Sequence, residues 1–229
     1  MRFGGYQKMT LLDFPGKVAC TVFTLGCNFL CPFCHNSALV VNRNLPEVAE
    51  SEILAFLKKR QGLLDGAAIT GGEPMLHPDL PDFIARVRDL GFAVKLDTNG
   101  AFPDRLRKVL ADGLVDYVAM DVKNCPDKYA RTCGTDRFLS QVEESIRLLL
   151  DGKTEFEFRT TLVDELHEPE DFDRIGRWIQ GAERYFIQGF VDSGDILAPG
   201  MHAASKEKAQ ACLAAVLPWV PGAQLRGLD

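Results

Sequence analysis

The chain has 229 residues, 46% of them hydrophobic and 25% charged, with a formal net charge of −6. That size and balance suit one ordinary globular domain over residues 1–229, and the acidic excess argues against a broad electrostatic grip on nucleic acid. The N-terminus MRFGGYQKMTLLDFPG lacks the apolar core of a signal peptide, and the longest apolar stretch, ACLAAVLPWV, is too short to cross a bilayer, so no membrane association is expected.

The first strand-like run is VACTVFT (18–24), and GCNFLCPFCHN follows it with Cys27, Cys31 and Cys34 in C-x3-C-x2-C spacing. A helical pattern over 47–61 leads to a second run, GAAIT (66–70), which ends in GGEP (71–74). The next helix, 79–90, places Leu80, Phe83, Ile84, Val87 and Leu90 at spacings of three and four, with Gly91 as its stop. FAVKLDT (92–98) runs into DTNG (97–100), and a helix over 103–112 precedes YVAMDVK (117–123). Helix 136–151, strand FEFRTTLV (156–163), helix 169–180, strand RYFIQGFV (184–191) and helix 203–217 complete the order.

Six alternations of strand and helix predict an α/β fold with a parallel sheet wrapped by helices, its core spanning about 16–191 and the 203–217 helix following. Six units are too few for an eight-stranded closed barrel, so a partial (β/α)6 barrel is the first expectation and an open doubly wound sheet the second. Either places ligands at the carboxyl ends of strands, where the cysteine segment, GGEP, DTNG and Asp121 with Lys123 all fall. The segment 124–136, polar and poor in helix signals, is expected to be a mobile border of the barrel mouth, unless Cys125 and Cys133 mark a second metal site.

Of seven cysteines, Cys20, Cys125, Cys133 and Cys212 are scattered, which does not resemble a disulfide framework; reduced thiols and a cytoplasmic location are expected. Three clustered thiolates suit a cuboidal iron–sulfur cluster, whose fourth iron would stay open to a small molecule. Zinc held by the three cysteines plus His35 is the first alternative, made awkward by the adjacency of His35 to Cys34. A redox pair at Cys31 and Cys34 is the second, and it leaves Cys27 without a role. His77 and His202 read as surface or capping residues, and GKT at 152–154 lacks the upstream glycine of a phosphate-binding loop.

The cysteine motif with Phe33 before its last cysteine, together with GGEP, resembles the radical S-adenosylmethionine enzymes. DFPGK, CHN (34–36), DTNG and MDVK narrow the resemblance to the glycyl-radical-enzyme activating enzymes, above all those of anaerobic ribonucleoside-triphosphate reductase, with pyruvate formate-lyase activating enzyme next. The likeness runs from about Gly4 to Val191.

The resemblance implies that Cys27, Cys31 and Cys34 bind a [4Fe-4S] cluster and that S-adenosylmethionine chelates its open iron. It places Gly71 and Gly72 at the methionine amino group, with Glu73 supporting the turn, and Phe33 and Asn36 near the adenosine. Asp97, Thr98 and Asp121 would bind a monovalent cation, with Asn99 beside them; Lys123, Arg159 and Gln188 would face the cosubstrate's carboxylate or ribose. Asp13 of DFPG would lie near a bound glycine loop, while Gln188 stands where a pyruvate formate-lyase activase would have His. The implied partners are a glycyl radical enzyme and an external electron donor, a flavodoxin or ferredoxin. A radical enzyme acting on a small nucleoside-like substrate is the competing expectation.

Overall fold

A computed structural model describes residues 1–41, 44–192 and 194–227. It contains one eight-stranded sheet with the strands in chain order: β1 Phe3–Thr10, β2 Ala19–Thr24, β3 Gly66–Gly71, β4 Ala93–Thr98, β5 Tyr117–Asp121, β6 Glu155–Leu162, β7 Tyr185–Gly189 and β8 Ala223–Arg226. β1 is antiparallel to β2, whereas β2, β3 and β4 run parallel, as do β6, β7 and β8. The six strands read from the sequence are β2 to β7, and one more flanks them at each end. β1 carries Gly4 and Gly5 and lacks a clean alternation, and β8 has only four residues, so neither gives a period-two signal.

The helices are α1 Ser37–Val41, α2 Glu50–Lys58, α3 Leu80–Asp89, α4 Pro103–Ala111, α5 Tyr129–Cys133, α6 Leu139–Leu150, α7 Pro169–Trp178 and α8 Lys206–Val216. Among the described residues no helix is long and apolar enough to cross a membrane. Contacts group the chain into two compact units, one of residues 1–28, 38–98 and 104–119, the other of 29–37, 99–103 and 120–229.

In the first unit Val22, Ala67, Ile69, Val94 and Leu96 are fully buried on strands that read as continuous apolar runs, the pattern of a parallel sheet covered on both faces. α2 adds Ile53 and Leu57, and α3 adds Leu80, Phe83, Ile84 and Val87. Leu90 instead sits half-buried at the α3 C-cap, before Gly91 at φ +87°. Ile84→Ala is expected to cost about 2–5 kcal/mol, read as a lower urea midpoint with an unchanged m-value.

In the second unit Phe158, Tyr185 and Ile187 on the strands are buried, as are Ile146, Phe172, Ile175 and Cys212 on the helices. α7 opens with a reciprocal capping box between Glu168 and Asp171. It needs Gly176 where Trp219 crosses it, since a Cβ there would come within 2.8 Å of the indole. The segment 124–136 is not the mobile border expected from its polarity. It forms a 3-10 turn and α5, and Asn124, Cys125, Thr132 and Cys133 are fully buried. Its polar side chains are satisfied internally: the Asn124 amide donates to Thr132 Oγ1 and to the Leu166 carbonyl, both at 3.0 Å.

Candidate functional site

In the first unit the chain leaving β2 is locked onto the chain leaving β3. Gly72 N–H donates to the Thr24 carbonyl at 2.9 Å, and Glu73 N–H to the Gly26 carbonyl at 2.8 Å. The resemblance places Gly71 and Gly72 at the methionine amino group, and the protein's own backbone already demands glycine at both positions. Gly71 has φ +111°, and a Cβ there would lie 2.4 Å from Thr24 N; a Cβ on Gly72 would lie 1.9 Å from Gly26 O. Gly26 itself adopts φ +86°, and its N–H donates to Leu39 O at 2.8 Å. The backbone that carries Cys27 is therefore set by GGEP. His77, read as a surface or capping residue, is the C-cap of the 3-10 turn Pro74–Leu76; it is half-buried and its Nε2 meets the Leu25 carbonyl at 2.9 Å, bracing the same loop.

Glu73 is almost fully buried and its Oε1 accepts from Met75 N–H at 2.9 Å and from Thr98 Oγ1 at 2.8 Å. It ties the exit of β3 to the exit of β4. Asp97 forms an ion pair with Lys95, a buried lysine of the FAVKLDT run. Thr21, Ala68 and Lys95 are register partners, so the lysine stands on the same sheet face as Thr21. Asp13 lies in the turn entering β2, whereas Cys27 follows its exit. The Asp13 carboxylate accepts from Thr21 Oγ1, and its N–H donates to Thr10 Oγ1 at 3.2 Å, the geometry of a structural turn.

In the second unit Asp121, at the end of β5, pairs with Lys123 Nζ at 2.8 Å and with Arg159 Nε at 3.0 Å. Burial alone would raise the Asp121 carboxyl, but Arg159 and Lys123 beside it bring it down to about 2. Burial likewise works against the Lys123 ammonium, and Asp121 and then Cys31 outweigh it, so its pKa is raised. The resemblance implies a monovalent cation at Asp97, Thr98 and Asp121; in the structure each carboxylate has a cationic side chain beside it, Lys95 for Asp97 and Lys123 with Arg159 for Asp121.

Cys31 and Cys34 share this unit, with Cys34 N–H donating to the Cys31 carbonyl at 3.1 Å, the Asn36 backbone N–H directed at the Cys34 sulfur, and Lys123 acting on both thiols. Burial raises the Cys34 thiol, whereas a contact with the Cys133 thiol brings Cys31 down against the effect of its own burial. His35 does not turn toward the thiols as a zinc ligand would; its ring stacks on Phe190 at 5.3 Å and 10°. Phe33 is buried. Gln188 stands on one sheet face with Thr161 and Arg226, its register partners on β6 and β8. Asn99 closes an Asx turn, its Oδ1 accepting from Ala101 N–H at 3.0 Å, which explains the DTNG signal through backbone shape. Gly100 follows at φ +76°, where a Cβ would collide with Met120.

The residues fit an iron–sulfur cluster by donor chemistry. Cys27, Cys31 and Cys34 form no disulfide; Cys27 and Cys34 are half-buried, Cys31 is 7% exposed, and a cation stands beside Cys31 and Cys34. Among the described residues no three Cys, His, Asp or Glu side chains form a single-ion site; a cuboidal cluster binds each thiolate to a different iron. The other cysteines serve elsewhere. Burial pushes the Cys20 and Cys212 thiols up to about 12, the mark of inert core thiols. Cys125 donates to Asp171 Oδ1 at 3.5 Å, while Cys133 meets Cys31, so the two do not pair as a second metal site.

Comparison with known proteins agrees with this donor set. The sequence pattern of the Radical SAM superfamily matches residues 21–179. A Methanocaldococcus jannaschii protein whose name places it, provisionally, among the glycyl-radical enzyme activating enzymes is 32% identical over 193 residues, covering 81% of this chain and 78% of its own. The pyruvate formate-lyase-activating enzyme of Clostridium pasteurianum is 28% identical over 153 residues, covering 62% and 63%. Among solved structures, Streptococcus suis SuiB bound to S-adenosylmethionine shares the fold with a TM-score of 0.70 at 10% identity, over 89% of this chain and 49% of that one. With 159 of its 229 residues inside that pattern, Cys27, Cys31 and Cys34 among them, the chain belongs to the radical SAM superfamily, whose members use a [4Fe-4S] cluster and S-adenosylmethionine.

Proposed function

We propose that this radical SAM enzyme is an activase that places a radical on a glycine of a partner protein. The observation that carries the reading is the 32% identity to the Methanocaldococcus jannaschii protein provisionally named a glycyl-radical enzyme activating enzyme, which extends over about four fifths of both chains and so is not confined to the cysteine motif. We propose anaerobic ribonucleoside-triphosphate reductase as the partner, a flavodoxin or ferredoxin as the electron donor, and the cytoplasm as the location. Seven cysteines with no disulfide among them agree with a reducing compartment.

When bound, the cluster supplies the electron that splits S-adenosylmethionine into methionine and a 5′-deoxyadenosyl radical, which takes a hydrogen atom from the glycine α-carbon. The chain's own residues bind and orient. Cys27, Cys31 and Cys34 hold the cluster, and the Gly71–Gly72 backbone holds the loop that carries the first of them. Lys123 and Arg159, fixed by Asp121, offer cationic groups to the cosubstrate's carboxylate or ribose. Phe33, Asn36 and Gln188 are assigned to the nucleoside. Thr98 is held by Glu73 at the same strand end as Asp97. Asp13 is left as a turn residue, because its carboxylate is engaged by Thr21.

The test is anaerobic mixing of the cluster-loaded enzyme with reductant, S-adenosylmethionine and anaerobic ribonucleotide reductase, followed by EPR. The glycyl doublet is expected on the reductase only when all components are present. Abundant 5′-deoxyadenosine with no doublet on the reductase or on pyruvate formate-lyase would set the activase reading aside.

A further inference from the structure

The neighbour of Cys31 that no motif contains is Cys133, about a hundred residues later in the chain. It is the last residue of α5, and the helix end is joined to the cysteine loop by backbone: Leu30 N–H donates to the Cys133 carbonyl at 2.9 Å. Gly134 follows at φ +70°, and any Cβ there would come within 2.8 Å of Leu30 O, so the approach of the two segments is itself specified. Phe29 packs edge-on against Tyr129 at 6.4 Å, closing the other side of the contact. α5 cannot drift, because Thr132 is fully buried and bonded to both Asn124 and the Lys128 carbonyl. The result is a thiol of zero exposure in hydrogen-bond contact with the thiol of Cys31.

We infer that Cys133 is a positioning residue of the iron–sulfur site: its S–H donates to the sulfur of Cys31 and makes a cluster bound there easier to reduce. The direction of the bond follows from the chemistry, since a sulfur bound to iron has no proton left to give and Cys133 alone can donate. A hydrogen bond to a cluster sulfur stabilises the reduced state, which carries the extra negative charge, and a dry surrounding strengthens the effect. The competing account is a small core thiol that fills space. The inference concerns the cofactor shared by the superfamily and does not depend on which substrate the enzyme acts upon.

The test is a redox titration of the cluster-loaded enzyme followed by EPR, with iron per chain measured in parallel. Cys133→Ala is expected to bind the wild-type amount of iron. Its ratio of reduced to oxidised cluster at a fixed solution potential should fall about tenfold, a shift of about 59 mV for a one-electron couple. Cys133→Ser keeps a donor of similar size and should stay within about threefold of wild type, which also keeps the inference testable if the alanine variant does not fold. An unchanged ratio in Cys133→Ala, or a tenfold fall in Cys133→Ser, overturns it. So does iron loss in Cys133→Ala equal to that of Cys31→Ala, which would make Cys133 a ligand.

Discussion

Gly72→Ala is expected to strip most of the iron-binding capacity from the chain while leaving its helix content intact. The new Cβ would sit 1.9 Å from Gly26 O, where real contacts keep at least 3.0 Å, so the Gly26 peptide must retreat by more than an ångström. That peptide precedes Cys27, and its carbonyl accepts the hydrogen bond from Glu73 N–H. Overpacking together with the lost bond should cost about 3 kcal/mol. The specific effect is a displaced first ligand, read as iron per chain at half or less of wild type after anaerobic reconstitution. Gly113→Ala is the control: Gly113 also has positive φ, at +62°, but a Cβ there meets nothing within 4 Å. It should cost about 1 kcal/mol of backbone strain and leave iron uptake unchanged.

Asp121→Asn should remove a stabilising contribution of about 2–3 kcal/mol at neutral pH, the linkage expected for a carboxyl brought from near 4 in the unfolded chain to about 2 in the fold. The Asp121 side chain is 28% exposed, which keeps the figure below that of a fully dry ion pair. Because the folded pKa is depressed, the contribution is complete above about pH 5 and is lost as pH falls from about 4 toward 2. Urea midpoints of the cluster-free protein at pH 7, pH 3 and pH 2 should therefore separate wild type from Asp121→Asn widely at the first, by about half as much at the second and little at the third. Equal midpoints at pH 7 would show that Lys123 and Arg159 gain nothing from the carboxylate. The variant should also raise the Michaelis constant for S-adenosylmethionine, since both cations lose the group that fixes them.

Local periodicity made much of the fold legible. Leu80, Phe83, Ile84 and Val87 betray their helix by spacing alone, and the apolar runs of β2 to β7 need no partner to be recognised. β1 and β8 escaped because glycine and shortness erase the period. The site divides in the same way. Cys27, Cys31 and Cys34 declare themselves within eight residues, whereas Lys95, His77 and Cys133 become meaningful only through tertiary neighbours: Asp97, the Leu25 carbonyl and Cys31. Gly71 and Gly72 were recognised as special for an incomplete reason, since a sequence shows that a side chain is excluded but not what excludes it. The 124–136 segment misled by composition: its Asn124 and Thr132 are buried and bonded to each other, and Asn124 also to the Leu166 carbonyl, which hydropathy cannot distinguish from solvation.

The most direct test of the account follows one hydrogen atom. The cluster-loaded enzyme is incubated anaerobically with reductant, S-adenosylmethionine and anaerobic ribonucleotide reductase whose glycines carry deuterium at the α-carbon, and the 5′-deoxyadenosine formed is weighed by mass spectrometry. The account predicts one deuterium per 5′-deoxyadenosine, accumulating in step with the glycyl EPR signal. Unlabelled 5′-deoxyadenosine alongside an unmodified reductase, with deuterium appearing instead when a labelled small nucleoside is supplied, would contradict it.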